Sequence, residues 1–208
     1  MAIETEIKFV IPDRALFDRI ILLEEIAGYR TVDKGLKKIS DTYFDTQDNR
    51  LFNGEIVFRL RVLENKSVLT FKTHRESTGS LYRRLEIESD TNADADDISS
   101  GNLPDIPPVK AFLDKMGNVS LSTSLKAENS RHTILLTHSD IPHYELVLDD
   151  VTFKGPRGAS SVCELEVESL IETGNDLENI GAWLKQRFDL QHAGPSKYIL
   201  GMKLVGNV

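Results

Sequence analysis

The sequence predicts an α+β protein, an antiparallel β-barrel or sandwich with peripheral helices. Three observations predict it. Short segments that alternate apolar and charged residues recur along the chain, which is the pattern of strands with one face on a core. Links of hairpin length join most of them, and no βαβ rhythm appears.

The first strand is Ile3-Glu4-Thr5-Glu6-Ile7-Lys8-Phe9. Pro12 and Asp13 open a helix expected to run to about Ile26, with Leu16, Phe17, Ile20 and Leu23 as its apolar stripe. A strand follows from about Lys38 to Asp45, ended by the turn-forming Gln47-Asp48-Asn49. Strands are expected at Val57 to Leu63 and at Val68 to Thr73, joined by Glu64-Asn65-Lys66, with another at Leu81 to Ser89. Residues 90–108, rich in Asp, Asn, Ser and Pro, read as a loop before a short helix near Val109 to Met116 that stops at Gly117. The aspartates at 94, 96 and 97 lack the glycine and terminal glutamate of an EF-hand, so a calcium loop is not expected there. Strands resume near Leu121 to Lys126, Arg131 to Thr137, Tyr144 to Asp149 and Val162 to Ser169. An amphipathic helix then carries Leu177, Ile180, Leu184 and Phe188, and Gly-Pro-Ser-Lys-Tyr follows near the end.

The 208 residues suit one domain and can bury a real core. No apolar run reaches the roughly 20 residues that cross a bilayer, and the start MAIETEIKFVIP does not read as a signal peptide. Cys163 is the only cysteine, so no internal disulfide forms, which fits a reducing, cytoplasmic setting. It lies on the apolar side of its strand, and the histidines at 132, 138, 143 and 192 lack paired zinc-ligand spacing. A net charge of −8 argues against general nucleic-acid binding but not against a small anion held by local cations. An exposed strand edge or helix face leaves room for a homodimer, though no feature demands one.

Charge is sorted strand by strand. Period-two geometry aligns Glu4, Glu6 and Lys8, then Arg59 with Arg61, Thr70 with Lys72, and Arg84 with Glu86 and Glu88. Later it aligns Glu145 with Asp149, and Glu164 with Glu166 and Glu168, while the opposite faces are largely apolar. Any one such face suits solvent. Together they stack like charges at roughly 6.6 Å, which repel unless counter-ions intervene. Carboxylates suit a hard divalent cation, and paired guanidinium groups suit an anion with several oxygens. Polyphosphate chemistry fits both halves.

The ordered set Glu4-x-Glu6-x-Lys8, Asp41-Thr-Tyr43-Phe-Asp45-Thr, Arg59-Leu-Arg61, Leu69-Thr-Phe-Lys72, Glu164-Leu-Glu166-Val-Glu168 and Ser196-Lys197-Tyr198 resembles the CYTH superfamily, the triphosphate tunnel metalloenzymes. The likeness runs from Ile3 to about Lys203, and residues 1–208 are read as a single domain of this kind. It implies an eight-stranded antiparallel barrel forming a tunnel, polar inside and apolar outside under helices. By resemblance, Glu4, Glu6, Glu164 and Glu166 are metal carboxylates, with Asp149 and Glu168 as further candidates, for two Mg2+ or Mn2+ ions. Lys8, Arg59, Arg61, Lys72, Arg131 and Lys197 match the residues that grip the triphosphate. Tyr43 and Lys72 match a pair that serves general-base work in the thiamine-triphosphatase branch, and Lys197 joins them as a catalytic candidate. A basic lysine needs a lowered pKa, which neighbouring cations supply.

The resemblance implies a metal-dependent hydrolase that turns inorganic triphosphate into pyrophosphate and phosphate, with thiamine triphosphate as another substrate of the family. The alternative is a class IV adenylyl cyclase, for which no adenine pocket is identifiable. Trp183, the one aromatic shelf available for thiamine, sits on an amphipathic helix and is read as packing.

Overall fold

The computed structural model describes residues 2–64, 66–78, 81–117, 119–155, 157–171, 176–194 and 196–205, with backbone only for Ala2 and residues 74–78. Part of the expected turn at 64–66 (Asn65) and Pro195 lie outside these residues.

Strand β1 (Ala2–Ile11) sends Glu4, Glu6 and Lys8 to one side and Ile7, Phe9 and Ile11 to the other. Helix α1 (Arg14–Ile21) is capped by Asp13, which accepts from the Leu16 N–H at 3.1 Å, and buries Leu16, Phe17 and Ile20. It stops five residues short of Ile26. Glu25–Ile26 (β2) instead pairs with the start of β3 (Tyr29–Thr46) through Ala27 and Gly28, both at positive φ (51° and 85°). Two such residues make the tight hairpin that a helix cannot pass through.

Helix α2 (Arg50–Asn53) leads to β4 (Val57–Leu63), β5 (Lys66–Thr78) and β6 (Leu81–Thr91). The segment read as loop contains α3 (Ala95–Ser99), whose Asp94 and Asp97 form a reciprocal capping box. Helix α4 (Pro107–Lys115) follows. Strand β7 (Leu121–His138) is continuous where two strands were expected, because the weakly strand-forming 127–130 are paired on both sides, to β3 and to β8 (Ile141–Gly155). The chain ends with β9 (Gly158–Ser169), α5 (Leu177–Phe188), β10 (Gln191–His192) and α6 (Lys197–Leu204).

Eight strands close into one antiparallel barrel in the order β1-β6-β5-β4-β3-β7-β8-β9, with β9 returning to pair β1. The barrel is inverted, with apolar side chains on its outer face. Helices α1 and α5 cover Ile7, Phe9, Leu146, Leu148 and Leu165, and Trp183 and Cys163 pack at that core's margin. Helices α2, α3 and α4 cover Phe58, Leu69, Phe71 and Ile87. Among the described residues, no helix is long and apolar enough to cross a membrane.

Helix α6, not foreseen from the sequence, plugs one end of the barrel. Its Tyr198 and Met202, with Val205 just beyond, pack on the inward-facing Tyr43, Val57, Leu125 and Phe153. Ser196 caps it, accepting from the Ile199 N–H.

Candidate active site

The barrel interior holds a cavity of about 240 Å3. Among the described residues, seven cations line it, Lys8, Arg59, Arg61, Lys72, Arg84, Arg131 and Lys197, and so do seven carboxylates, Glu4, Glu6, Glu86, Glu88, Glu145, Glu166 and Glu168. The charged faces expected from strand parity therefore point inward and meet.

Each cation has acids within reach. Lys72 Nζ lies 3.0 and 3.1 Å from the two Glu4 oxygens and 2.8 Å from Glu86. Arg84 Nε lies 2.5 Å from Glu4, and its Nη2 lies 3.1 Å from Glu6. Lys8 bridges Glu6 at 3.2 Å and Glu166 at 2.6 Å. Arg61 grips Asp41 with two bonds of 2.8 Å. Arg131 grips Asp149 in the same forked way, at 2.7 and 2.6 Å. Lys197, carried in by α6, reaches Glu166 at 2.5 Å and Asp149 and Glu164 at 3.0 Å each.

Thus Lys8, Arg59, Arg61, Lys72, Arg131, Lys197 and Tyr43 all line one cavity with Glu4, Glu6, Glu166 and Glu168. Asp149 and Glu164 sit deeper, 0% and 1% exposed, behind Lys197. Among the described residues, no three acidic or imidazole side chains stand close enough together to enclose a metal ion, because lysines and arginines draw them apart. Arg84 was not singled out as a site residue in the sequence. Its period-two alignment with Glu86 and Glu88 was the available signal.

Electrostatics divide the acids. Burial favours the neutral form of Glu4, but Lys72 and Arg84 overcome it and hold Glu4 well below the usual carboxylate range. Lys197, Lys8 and Arg131 likewise overcome burial at Glu166. Glu168 differs. Burial, then the charges of Glu4 and Glu6, push it up to about 8. Lys72 is pulled below its ordinary value, first by burial and then by Arg84. Lys197 is held well above its own, Glu166, Asp149 and Glu164 outweighing burial. Burial raises Tyr43, which stacks on Tyr198 at 5.2 Å and 15°.

Among the described residues, three buried groups lack hydrogen-bond partners: Asn129 Oδ1, Arg59 Nε and both oxygens of Glu164, whose contact with Lys197 lies off the hydrogen-bonding direction; the last two bear on ligands. An unmet donor and an unmet carboxylate are costly in a protein interior. An anion's oxygen would satisfy the first and a cation the second.

The sequence matches the model of the CYTH domain over residues 2–197. Among solved structures, one from Hippeastrum, described as an adenylyl cyclase with dominant triphosphatase activity, superposes with a TM-score of 0.68. It shares 16% identity, over 96% of this chain and 95% of that one. A Bacillus halodurans protein described as an adenylate cyclase gives 0.65 at 19% identity, over 96% and 98%. The triphosphatase of the Mimivirus capping enzyme gives 0.50 at 14%, over 88% and 89%. At these identities the likeness concerns the fold. No curated protein sequence matches the chain.

Proposed function

The chain belongs to the CYTH domain family, and from that premise we propose that it is a metal-dependent hydrolase of triphosphate compounds, acting on inorganic triphosphate. One observation carries the reading: seven cations and seven carboxylates from seven strands and α6 converge in one enclosed cavity plugged at one end. A solvated sheet face has no reason to be built this way.

The carboxylate oxygens suit hard divalent cations in chemistry, and a cation would draw together acids that lysines and arginines now hold apart. Among the described residues the wall's cations and carboxylates are equal in number, which leaves room for positive charge that comes with the substrate. Glu168 faces Glu4 and Glu6 with no ion pair of its own among the described residues, the point of greatest acidic crowding. Glu4, Glu6 and Glu168 are therefore the residues that would hold Mg2+ or Mn2+. Glu164 and Glu166, with Asp149 behind them, form a second acidic group for a second ion. A bound ion of this kind supplies charge neutralisation on the phosphoryl oxygens and an activated water.

The protein groups do the rest. Arg59, Arg61, Lys8 and Arg131 bind and align the phosphate chain, Arg59 offering its unused Nε–H. Water attacks the terminal phosphorus. Its oxygen forms the new P–O bond, the bridging P–O bond breaks, and pyrophosphate leaves. Lys72, its pKa lowered, accepts the proton, with Tyr43 beside it in the wall. Lys197, held fully charged, stabilises negative charge at the plugged end.

The test is to incubate pure protein with Mg2+ or Mn2+ and either tripolyphosphate or ATP, then measure phosphate, pyrophosphate and cyclic AMP. Phosphate from tripolyphosphate supports the reading. Cyclic AMP with pyrophosphate from ATP replaces it with a cyclase, and binding without turnover makes the protein a sensor. Glu4→Gln and Glu166→Gln are expected to abolish metal-dependent turnover while circular dichroism is unchanged, and near-normal rates would remove the proposed metal groups.

A further inference from the structure

We propose that a groove on the outside of the plugged end, against α6, binds a single phosphate group, either the free ion or the head of a small phosphomonoester. The site is separate from the barrel interior and does not depend on the triphosphatase reading.

The groove has a volume of about 580 Å3 and lies where the end of β3, the start of β7 and the end of β8 meet α6. Gln47, Asn49, Ser122, Thr123, Lys126 and Lys154 line it, and among the described residues no acidic side chain does. Each of the six can donate a hydrogen bond. None of their side chains is engaged in a hydrogen bond or ion pair among the described residues. A wall of free donors without a carboxylate suits an anion and offers nothing to a cation.

The two lysines carry the argument furthest. Lys126 and Lys154 are direct register partners across β7 and β8, and like charges placed opposite each other in a ladder repel. The carboxylates nearest in sequence are held elsewhere. Asp48 accepts from Thr46 Oγ1 at 2.7 Å and from Arg50 Nε at 2.8 Å. Glu128 accepts from Ser40 Oγ at 3.2 Å. A phosphate dianion beside the two ammonium groups replaces one repulsion with two attractions. The strand pairing keeps the lysines side by side to receive it.

A bulge shapes the floor of the groove. Tyr43 faces Leu125 and Phe44 faces Thr123, so Ser124 is the extra residue of β7 there. Ser124 Oγ lies 3.2 Å from the Tyr43 carbonyl and 3.3 Å from Tyr198 Oη, while Ser122 and Thr123 stay exposed beside Lys126. Leu125 and Met202 form the apolar part, a surface for the carbon part of a phosphomonoester. Among the described residues no aromatic ring lines the groove, so a nucleobase finds nothing to stack on. Met202 also belongs to the seat of α6, which makes it a reporter of occupancy.

The experiment labels the methionine methyl groups of the full chain with carbon-13 and titrates it, in chelator, with inorganic phosphate and separately with glycerol 3-phosphate. Met202 is one of three methionines, and its NMR signal is identified by its loss in Met202→Leu. That signal is expected to shift and saturate. Half-saturation should need about three- to tenfold more ligand in Lys126→Ala/Lys154→Ala, and close to the wild-type amount in Lys126→Arg/Lys154→Arg. The tighter of the two ligands shows whether the free ion or the phosphomonoester is the occupant. A Met202 signal that neither ligand moves overturns the site. So does equal half-saturation in the wild type and the alanine variant, because the shift then originates in the barrel interior.

Discussion

Tyr198 donates a hydrogen bond of 2.7 Å to Asp45, joining the plug helix α6 to the end of β3. Asp45 also accepts from the backbone N–H groups of Thr46, Leu51 and Phe52 at 2.7–2.8 Å, so one buried carboxylate fixes both the start of α2 and the seat of α6. Lys197 is the neighbour of Tyr198, so this bond also sets where that ammonium stands. Tyr198→Phe keeps the stack on Tyr43 and loses the bond to Asp45 and the longer one to Ser124 at 3.3 Å, at a cost of about 1–2 kcal/mol. Asp45→Ala leaves three backbone N–H groups without their acceptor and the tyrosine hydroxyl with only Ser124 at 3.3 Å, and is expected to cost about 3–4 kcal/mol. Urea denaturation of both variants checks the order, and KM for tripolyphosphate is expected to rise in Tyr198→Phe as Lys197 loosens.

A second expectation concerns Lys72 as the proton acceptor. Glu86, 2.8 Å away, favours its charged form, while burial and Arg84 favour the neutral one. Glu86→Gln removes the supporting charge and lowers the lysine's pKa further. The rising limb of the kcat/KM–pH profile should then move to lower pH, by roughly half a unit to one unit. A limb that stays in place would show that Lys72 is not the group titrating in it.

How much of this was legible in the sequence depends on which force sets each feature. Period-two sorting showed which charged residues share a face on β1, β4, β5 and β9, because the pleat fixes that, whereas the inward direction of those faces came from the family resemblance. Residues 29–37 of β3 were missed, since they extend toward the mouth with side chains mostly solvent-accessible and carry no alternation. Helix α6 was missed because its packing surface runs along most of its length: Lys197, Tyr198, Ile199, Gly201 and Met202 are all buried. A helix enclosed by a barrel shows no apolar stripe. Within the site, strand parity aligned twelve of the lining groups, and the family resemblance added Tyr43, Arg131 and Lys197. That Asp149 and Glu164 are set back behind Lys197 depends on how far α6 enters, which is a tertiary fact. The polar role of Asp45 is likewise visible only once α2 and α6 meet at it.

Glu168 sets a pH dependence of stability. Its folded pKa of about 8 lies above the ordinary 4.5, so the folded state binds the proton more tightly than the unfolded state. That stabilisation is complete below pH 4.5 and is lost as pH rises through about 8. Glu86, also raised, adds to the same slope. In chelator, the melting temperature is expected to decline across this window, and Glu168→Gln should flatten the decline without removing the part due to Glu86. An unaltered slope in Glu168→Gln would place the titration elsewhere.

The final prediction compares two helical glycines. A Cβ on Gly181 of α5 would meet the Ile7 Cδ1 tip at 2.6 Å, with the next neighbour, Phe9 Cζ, at 3.7 Å. One isoleucine rotamer relieves that contact, and alanine's helix propensity returns about 1 kcal/mol, so Gly181→Ala should change stability little and leave turnover close to wild type. A Cβ on Gly201 of α6 would meet Leu125 Cδ2 at 2.6 Å and two Phe153 ring atoms at 2.6 and 2.8 Å. Both side chains are buried against α6 at the plugged end, and the ring is met at two atoms rather than at one flexible tip. The helix itself must shift, at a cost of about 1–3 kcal/mol, and Lys197 shifts with it from Glu166, Asp149 and Glu164. Gly201→Ala should therefore lose turnover well beyond its loss of stability, while Gly181→Ala should not. Equal activity in the two variants would mean that the seat of α6 does not set the position of Lys197.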